Sequence, residues 1–192
     1  MRVRQPAVAG RFYTGDPYEL AEEVAGYLAV VPHGGPQPPG IIVPHAGHIF
    51  SGPVAAHAYA TLRSTPRVVL AGPAHFVPVD GIAATSADVW RTPLGDVEID
   101  QDAVTSAGLV RDDHPHAPEH SLEVQLPFLQ VQLGPGWRLL PLLVGRADPA
   151  TVAAADLSGV DVLVVRSEPR VLNAALVAAC DRAGVRIVPY AT

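Results

Sequence analysis

The chain has 192 residues, 48% of them hydrophobic, which is the size and composition of one domain with a single core spanning residues 1–192. Thirteen basic residues, all arginine, against nineteen acidic ones give a formal net charge of −6, and no basic stripe offers itself to a phosphate backbone, so nucleic acid is not expected as a partner. No apolar run approaches the ~18 residues of a membrane span, no apolar h-region follows the N-terminal arginines, and the lone Cys180 has no internal disulfide partner, so a soluble cytoplasmic protein is expected.

Asp16 to Val30, DPYELAEEVAGYLAV, predicts an amphipathic helix: Pro17 suits the first helical position, and Leu20, Val24, Tyr27 and Leu28 recur at helical spacing. Pro32 to Gly40 is too rich in Pro and Gly for a regular element and reads as a surface loop. Ile41–Val43, Val68–Ala71 and Asp161–Val165 are short aliphatic runs that read as buried strands, and Val54 to Leu62 between the first two has helical composition. Strand, helix, strand in that order implies a crossover with parallel strands. Gly81 to Asp100 alternates and predicts short antiparallel strands turning near Pro93-Leu94-Gly95. Leu139 to Val144 is a further strand, whose Pro141 suggests a sheet edge or a bulge. Leu172 to Ala183 reads as a helix closed by Gly184, and Val185 to Val188 as a last strand.

Ligands in open α/β sheets bind beyond the carboxyl ends of strands, so polar residues there carry weight. His45 follows the first strand and His75 the second. If those strands are neighbours, the two imidazoles converge at one rim, as a metal site or an acid/base pair requires; capping of loops by hydrogen bonds is the alternative. A third cluster, Asp112 to Glu123, crowds His114, His116, Glu119, His120 and Glu123 before an apolar helix face, with Ser121 or a neighbour as a cap and Glu123 in the first turn. His33, His57 and Cys180 read as structural or solvent-facing.

Several ordered words at these segments resemble the Memo family, called AmmeMemoRadiSam system protein B in bacteria. They are Arg4-x-Pro6-Ala7-Val8-Ala9-Gly10-x-Phe12-Tyr13, Pro44-His45-Ala46-Gly47 with Ser51-Gly52, Gly72-Pro73-x-His75, Trp90-x-Thr92-Pro93-Leu94-Gly95, and Glu119-His120-Ser121-Leu122-Glu123 running on to Leu129. The resemblance implies an α/β fold with a mixed, largely parallel sheet flanked by helices, like that of the class III extradiol dioxygenases, which use a 2-His-1-carboxylate metal site. By motif, His45 and His75 match the family's metal-binding histidines, and His120 matches a histidine word beside the same cleft. The chain departs from the family after the strand at Asp161–Val165, where Arg166-Ser167-Glu168-Pro169-Arg170 replaces a longer segment bearing an Asp, a His and a Cys.

The expected site is therefore His45, His75 and, standing in for the lost ligand, Glu168, around a divalent metal: Fe(II) first, with copper or zinc as alternatives. His120 is the candidate acid/base and His48 a second candidate. The activity this implies is dioxygenase-like oxidoreductase chemistry on a small diol-like or aminophenol-like substrate. The alternative is a non-catalytic domain that binds metal or a protein through a degenerate site. A shortened C-terminal region should open one wall of the cleft, which suggests a homo-oligomer.

Overall fold

The computed structural model describes residues 1–34, 38 and 40–146, together with the backbone of 162–165. A six-stranded sheet carries the fold, with spatial order β2 (Gly40–Ile42), β9 (Val162–Val165), β3 (Arg67–Pro73), β8 (Arg138–Val144), β4 (Ile82–Ala84), β7 (Val110–Arg111). The first four run parallel; β4 is antiparallel to β8 and parallel to β7. A separate three-stranded sheet joins β1 (Val3–Arg4) to the hairpin of β5 (Val89–Thr92) and β6 (Gly95–Glu98). The mixed, largely parallel character expected from the sequence is present.

Three helices, α1 (Pro17–Ala29), α2 (His48–Tyr59) and α4 (Leu126–Leu133), pack on one another, while the short α3 (Gln101–Ser106) packs on β8. Helix α1 starts where expected because Asp16 accepts hydrogen bonds from the backbone N–H groups of Tyr18 and Glu19, and Leu20, Val24 and Leu28 bury a single stripe. Helix α2 begins six residues before the expected Val54 and carries Ser51-Gly52-Pro53 inside it. Pro53 forfeits one helical bond, but Gly52 lets α1 approach: a Cβ there would stand 2.5 Å from Cε2 of Tyr27.

Two expectations about the sheet are corrected. Pro141 does not mark an edge, for β8 is paired on both sides, with Pro141 opposite Leu70 of β3. On the other side Leu139 bridges to Ile99 and its carbonyl accepts from Asp100, whereas β4 pairs only with Leu142–Val144. Strand backbone alternates, so the missing N–H of Pro141 faces the step between those two partners and no ladder bond is forfeited. Nor are β2 and β3 neighbours; β9 lies between them. The expected helix at 172–183 and strand at 185–188 lie outside the described residues, and among those described no helix is long and apolar enough to cross a membrane.

Candidate metal centre

Strands β2 and β3 stand two strand spacings apart, about 10 Å, yet their histidines meet because each lies two or three residues beyond its strand. The His45 and His75 rings have centroids 5.0 Å apart, His45 and His120 5.4 Å, and His75 and His120 4.8 Å. One ligand atom from each of the three lies within 4.8 Å of the others. A first-row ion bonded to two imidazoles at about 2.1 Å holds their nitrogens about 3 to 4.2 Å apart. Small side-chain rotations close the remainder, and an all-imidazole donor set suits such an ion. The residues present fit a divalent metal.

Loop geometry sets these rings. Gln125 Nε2 donates to the carbonyl of Pro44 (3.0 Å) and Ser51 Oγ to that of Ala46 (2.8 Å), holding the His45 loop from both sides. Ser121 Oγ donates to the carbonyl of Pro73 (2.9 Å), so it ties the His120 loop to the end of β3 and is not a helix cap. Gly72 makes that junction possible, since a Cβ there would meet Leu122 Cδ2 at 2.7 Å. Phe12 and Phe76 stand against the His120 ring at 4.7 and 5.6 Å.

Glu119 lies behind the cluster. Its Oε2 accepts the backbone N–H of His75 (2.6 Å), and its Oε1 accepts those of His120 (2.8 Å) and Ser121 (2.9 Å) and faces His75 Nδ1 at 2.9 Å. Burial pushes this carboxyl up, but the bonds from His75 and Ser121 outweigh it and hold the group below the usual carboxylate range.

Glu123, expected in a first helical turn, is fully buried in the 3₁₀ turn Glu123–Gln125. It accepts from Arg4 Nη1 (2.7 Å), the N–H groups of Ala7 (2.7 Å) and Val8 (3.0 Å), and Tyr13 OH (2.6 Å). Burial and the Glu123 charge together push the Tyr13 phenol far up, so it stays protonated. These bonds lash residues 4–13 across the molecule as a strap, and the strap delivers Phe12 to His120. The carbonyl of Phe12 accepts the N–H of His48 (2.7 Å), and a Cβ on Gly47 would come within 3.1 Å of that oxygen.

The structure brings His45, His75 and His120 together and sends His48 elsewhere. That ring lies between Tyr13 and Phe128, with Nε2 donating to the carbonyl of Val124 (2.8 Å) and Nδ1 3.6 Å from Glu23; burial lowers its pKa. His116 is buried against Trp90, bonds the carbonyl of Ala83 (3.1 Å), and is pulled down to about 4 by burial. His114 and His57 are exposed, and the exposed His33 bonds the carbonyl of Leu28. Glu168 and Cys180 lie outside the described residues. Sequence reasoning noticed Glu119 without a role and missed Phe12; the adjacent Glu-His pair was the one available signal for the former.

A family model described as Memo-like protein matches residues 4–181. Among curated proteins, a MEMO1 family protein of Methanopyrus kandleri is 42% identical over 176 residues, covering 83% of this chain and 62% of the relative. One from Methanococcoides burtonii is 40% identical over 158 residues (81% and 60%), and one from Aquifex aeolicus 41% over 148 residues (75% and 55%). The chain spans about three fifths of the length of these relatives.

Proposed function

The chain belongs to the Memo-like protein family, and from that premise we propose that it holds a divalent first-row metal ion through His45, His75 and His120 and acts there on a small chelating substrate, diol-like or aminophenol-like. The observation that carries this reading is the convergence of three imidazoles from three separate loops, with ligand atoms within 4.8 Å. Solvated loop histidines have no reason to converge so.

His120 takes the part of third ligand in this reading in place of general acid/base, because its ring stands in the same cluster as the other two. An ion bound there would supply Lewis acidity and charge neutralisation to a chelated oxygen or nitrogen substrate; Fe(II) with O₂ is the dioxygenase-like form of that chemistry, with copper or zinc as alternative ions. The protein's own residues do the rest. The imidazoles hold the ion as neutral donors, Phe12 and Phe76 wall the ligand His120 with apolar surface, and the strap fixes the Phe12 wall in place.

A non-catalytic reading, in which the same histidines bind a metal with no turnover, rests on the same cluster, since three imidazoles suffice to hold an ion whether or not a substrate follows. One experiment separates the two. Protein purified and reloaded anaerobically with Fe(II) is assayed for bound metal and for O₂ uptake with catechol and with 2-aminophenol. Stoichiometric metal that is lost in each of His45→Ala, His75→Ala and His120→Ala, with substrate-dependent O₂ uptake, supports the enzyme. Metal without uptake supports the binding protein, and metal content unchanged by all three substitutions would sink both.

A further inference from the structure

A single carboxylate stands behind two of the three imidazoles. Glu119 is 2% exposed, and both of its oxygens are committed: Oε2 to the N–H of His75, and Oε1 to the N–H groups of His120 and Ser121. Three backbone donors therefore fix the carboxylate before either ring is considered. Among the described residues no guanidinium competes for it: Arg4 Nη2 bonds the main-chain oxygen of Glu119 (2.6 Å) and Arg4 Nη1 goes to Glu123.

An ionised carboxylate accepts only, so the 2.9 Å contact between Oε1 and His75 Nδ1 requires the hydrogen to be on Nδ1. A neutral imidazole has one N–H, which leaves the lone pair on Nε2. His120 Nδ1 lies 3.2 Å from the same oxygen, and the two rings stack at 23°. One oxygen thus sits at the Nδ1 side of both rings.

We infer that Glu119 is the positioning residue of this centre: its fixed carboxylate locks His75 in the Nδ1–H tautomer and sets the His75 and His120 rings side by side, so that Nε2 of His75 is presented to the ion. This rests on the reading of the three histidines as a metal site. Such carboxylate–histidine partners fix ring orientation and raise the basicity of the ligand, and their loss costs about 10- to 100-fold in metal affinity. A glutamine at 119 cannot substitute, since it has one accepting oxygen where the structure uses two and must turn its NH₂ against a donor.

The test uses the full chain in two arms. In metal-free, ¹⁵N-labelled protein, long-range ¹H–¹⁵N correlation reads the His75 tautomer, assigned with His75→Gln. In the second arm Co(II) alone is titrated into wild type, Glu119→Gln and Glu119→Asp. The expected result is an Nδ1–H ring in wild type, an Nε2–H population in Glu119→Gln, a drop in Co(II) affinity of about 10- to 100-fold, and partial recovery in Glu119→Asp. An Nε2–H ring in wild type, or Co(II) affinity untouched in Glu119→Gln, overturns the proposal. Should Glu119→Gln not fold, the wild-type tautomer and Glu119→Asp still decide it. A Glu119-dependent Nδ1–H ring in a protein that takes up no Co(II) supports the positioning and overturns the metal reading alone.

Discussion

Replacing Arg4 with Met tests the strap where it is most heavily bonded. The Arg4 side chain is 6% exposed and that of Glu123 0%, so the pair is screened little by solvent. Removing one partner of a buried ion pair costs about 3–5 kcal/mol, because the other is left charged and unpaired. Two circumstances pull in opposite directions. Glu123 keeps three other donors, Ala7 N–H, Val8 N–H and Tyr13 OH, which favours the lower end. Arg4 also serves the carbonyls of His116 (Nε, 3.0 Å) and Glu119 (Nη2, 2.6 Å) and stacks 4.5 Å over Trp90, and orphaning two carbonyls adds about 1 kcal/mol or more each. The expected loss is therefore about 5 kcal/mol, read by guanidinium denaturation at two spectroscopic probes. Arg4→Lys keeps the charge but cannot reach all three acceptors, and should lose about 2 kcal/mol. The double variant Arg4→Met/Glu123→Gln should recover part of the single-variant loss, since no charge is then buried while the amide oxygen still accepts from the strap's donors. A loss under about 1 kcal/mol for Arg4→Met would refute the reasoning, as it would mean the Glu123 charge is satisfied without its partner.

The buried His116 gives a dependence on pH. Its unfolded ring takes up a proton below about 6.5 and its folded ring only below about 4, so as pH falls through that window the unfolded state alone gains protons and stability drops, by on the order of 3 kcal/mol at the acid end. Burial lowers His48 in the same direction, so His116→Phe should flatten the slope of unfolding free energy against pH without abolishing it; an unchanged slope would remove His116 from the account. Gly145→Ala should cost about 1–3 kcal/mol by overpacking, because its Cβ would run into the main-chain oxygen of Val79 in a loop pinned by Gly145 N–H to Gly81 and Arg146 N–H to Val79. An unshifted melting temperature would show that this loop yields.

Features governed by neighbouring residues were legible in the sequence. The Asp16-Pro17 start of α1, its buried stripe and the hairpin at Pro93-Leu94-Gly95 all follow from local chemistry. The α2 start was misjudged because Gly52 and Pro53 both weaken a helix read from sequence alone, and the close approach of Tyr27 shows what Gly52 serves there. Pro141 misled because sequence does not say where a partner strand stops. His45 and His75 were found by their place after buried strands, although the inserted β9 shows that adjacency was the wrong reason. His48, three residues beyond His45, was misplaced because Gly47 caps a helix between them and turns the ring toward α4. The parts of Glu119 and Phe12 depend on contacts across 44 and more residues, which no local pattern encodes.

The strap also imposes an order on biosynthesis. The bond from Arg4 to Glu123 joins residues 119 apart in the chain, so at about 5–20 residues per second the strap waits roughly 6 to 24 s for its anchor to be translated. During that interval the phenyl group of Phe12 and the guanidinium of Arg4 have no native berth, and residues 4–13 are a stretch a chaperone would meet.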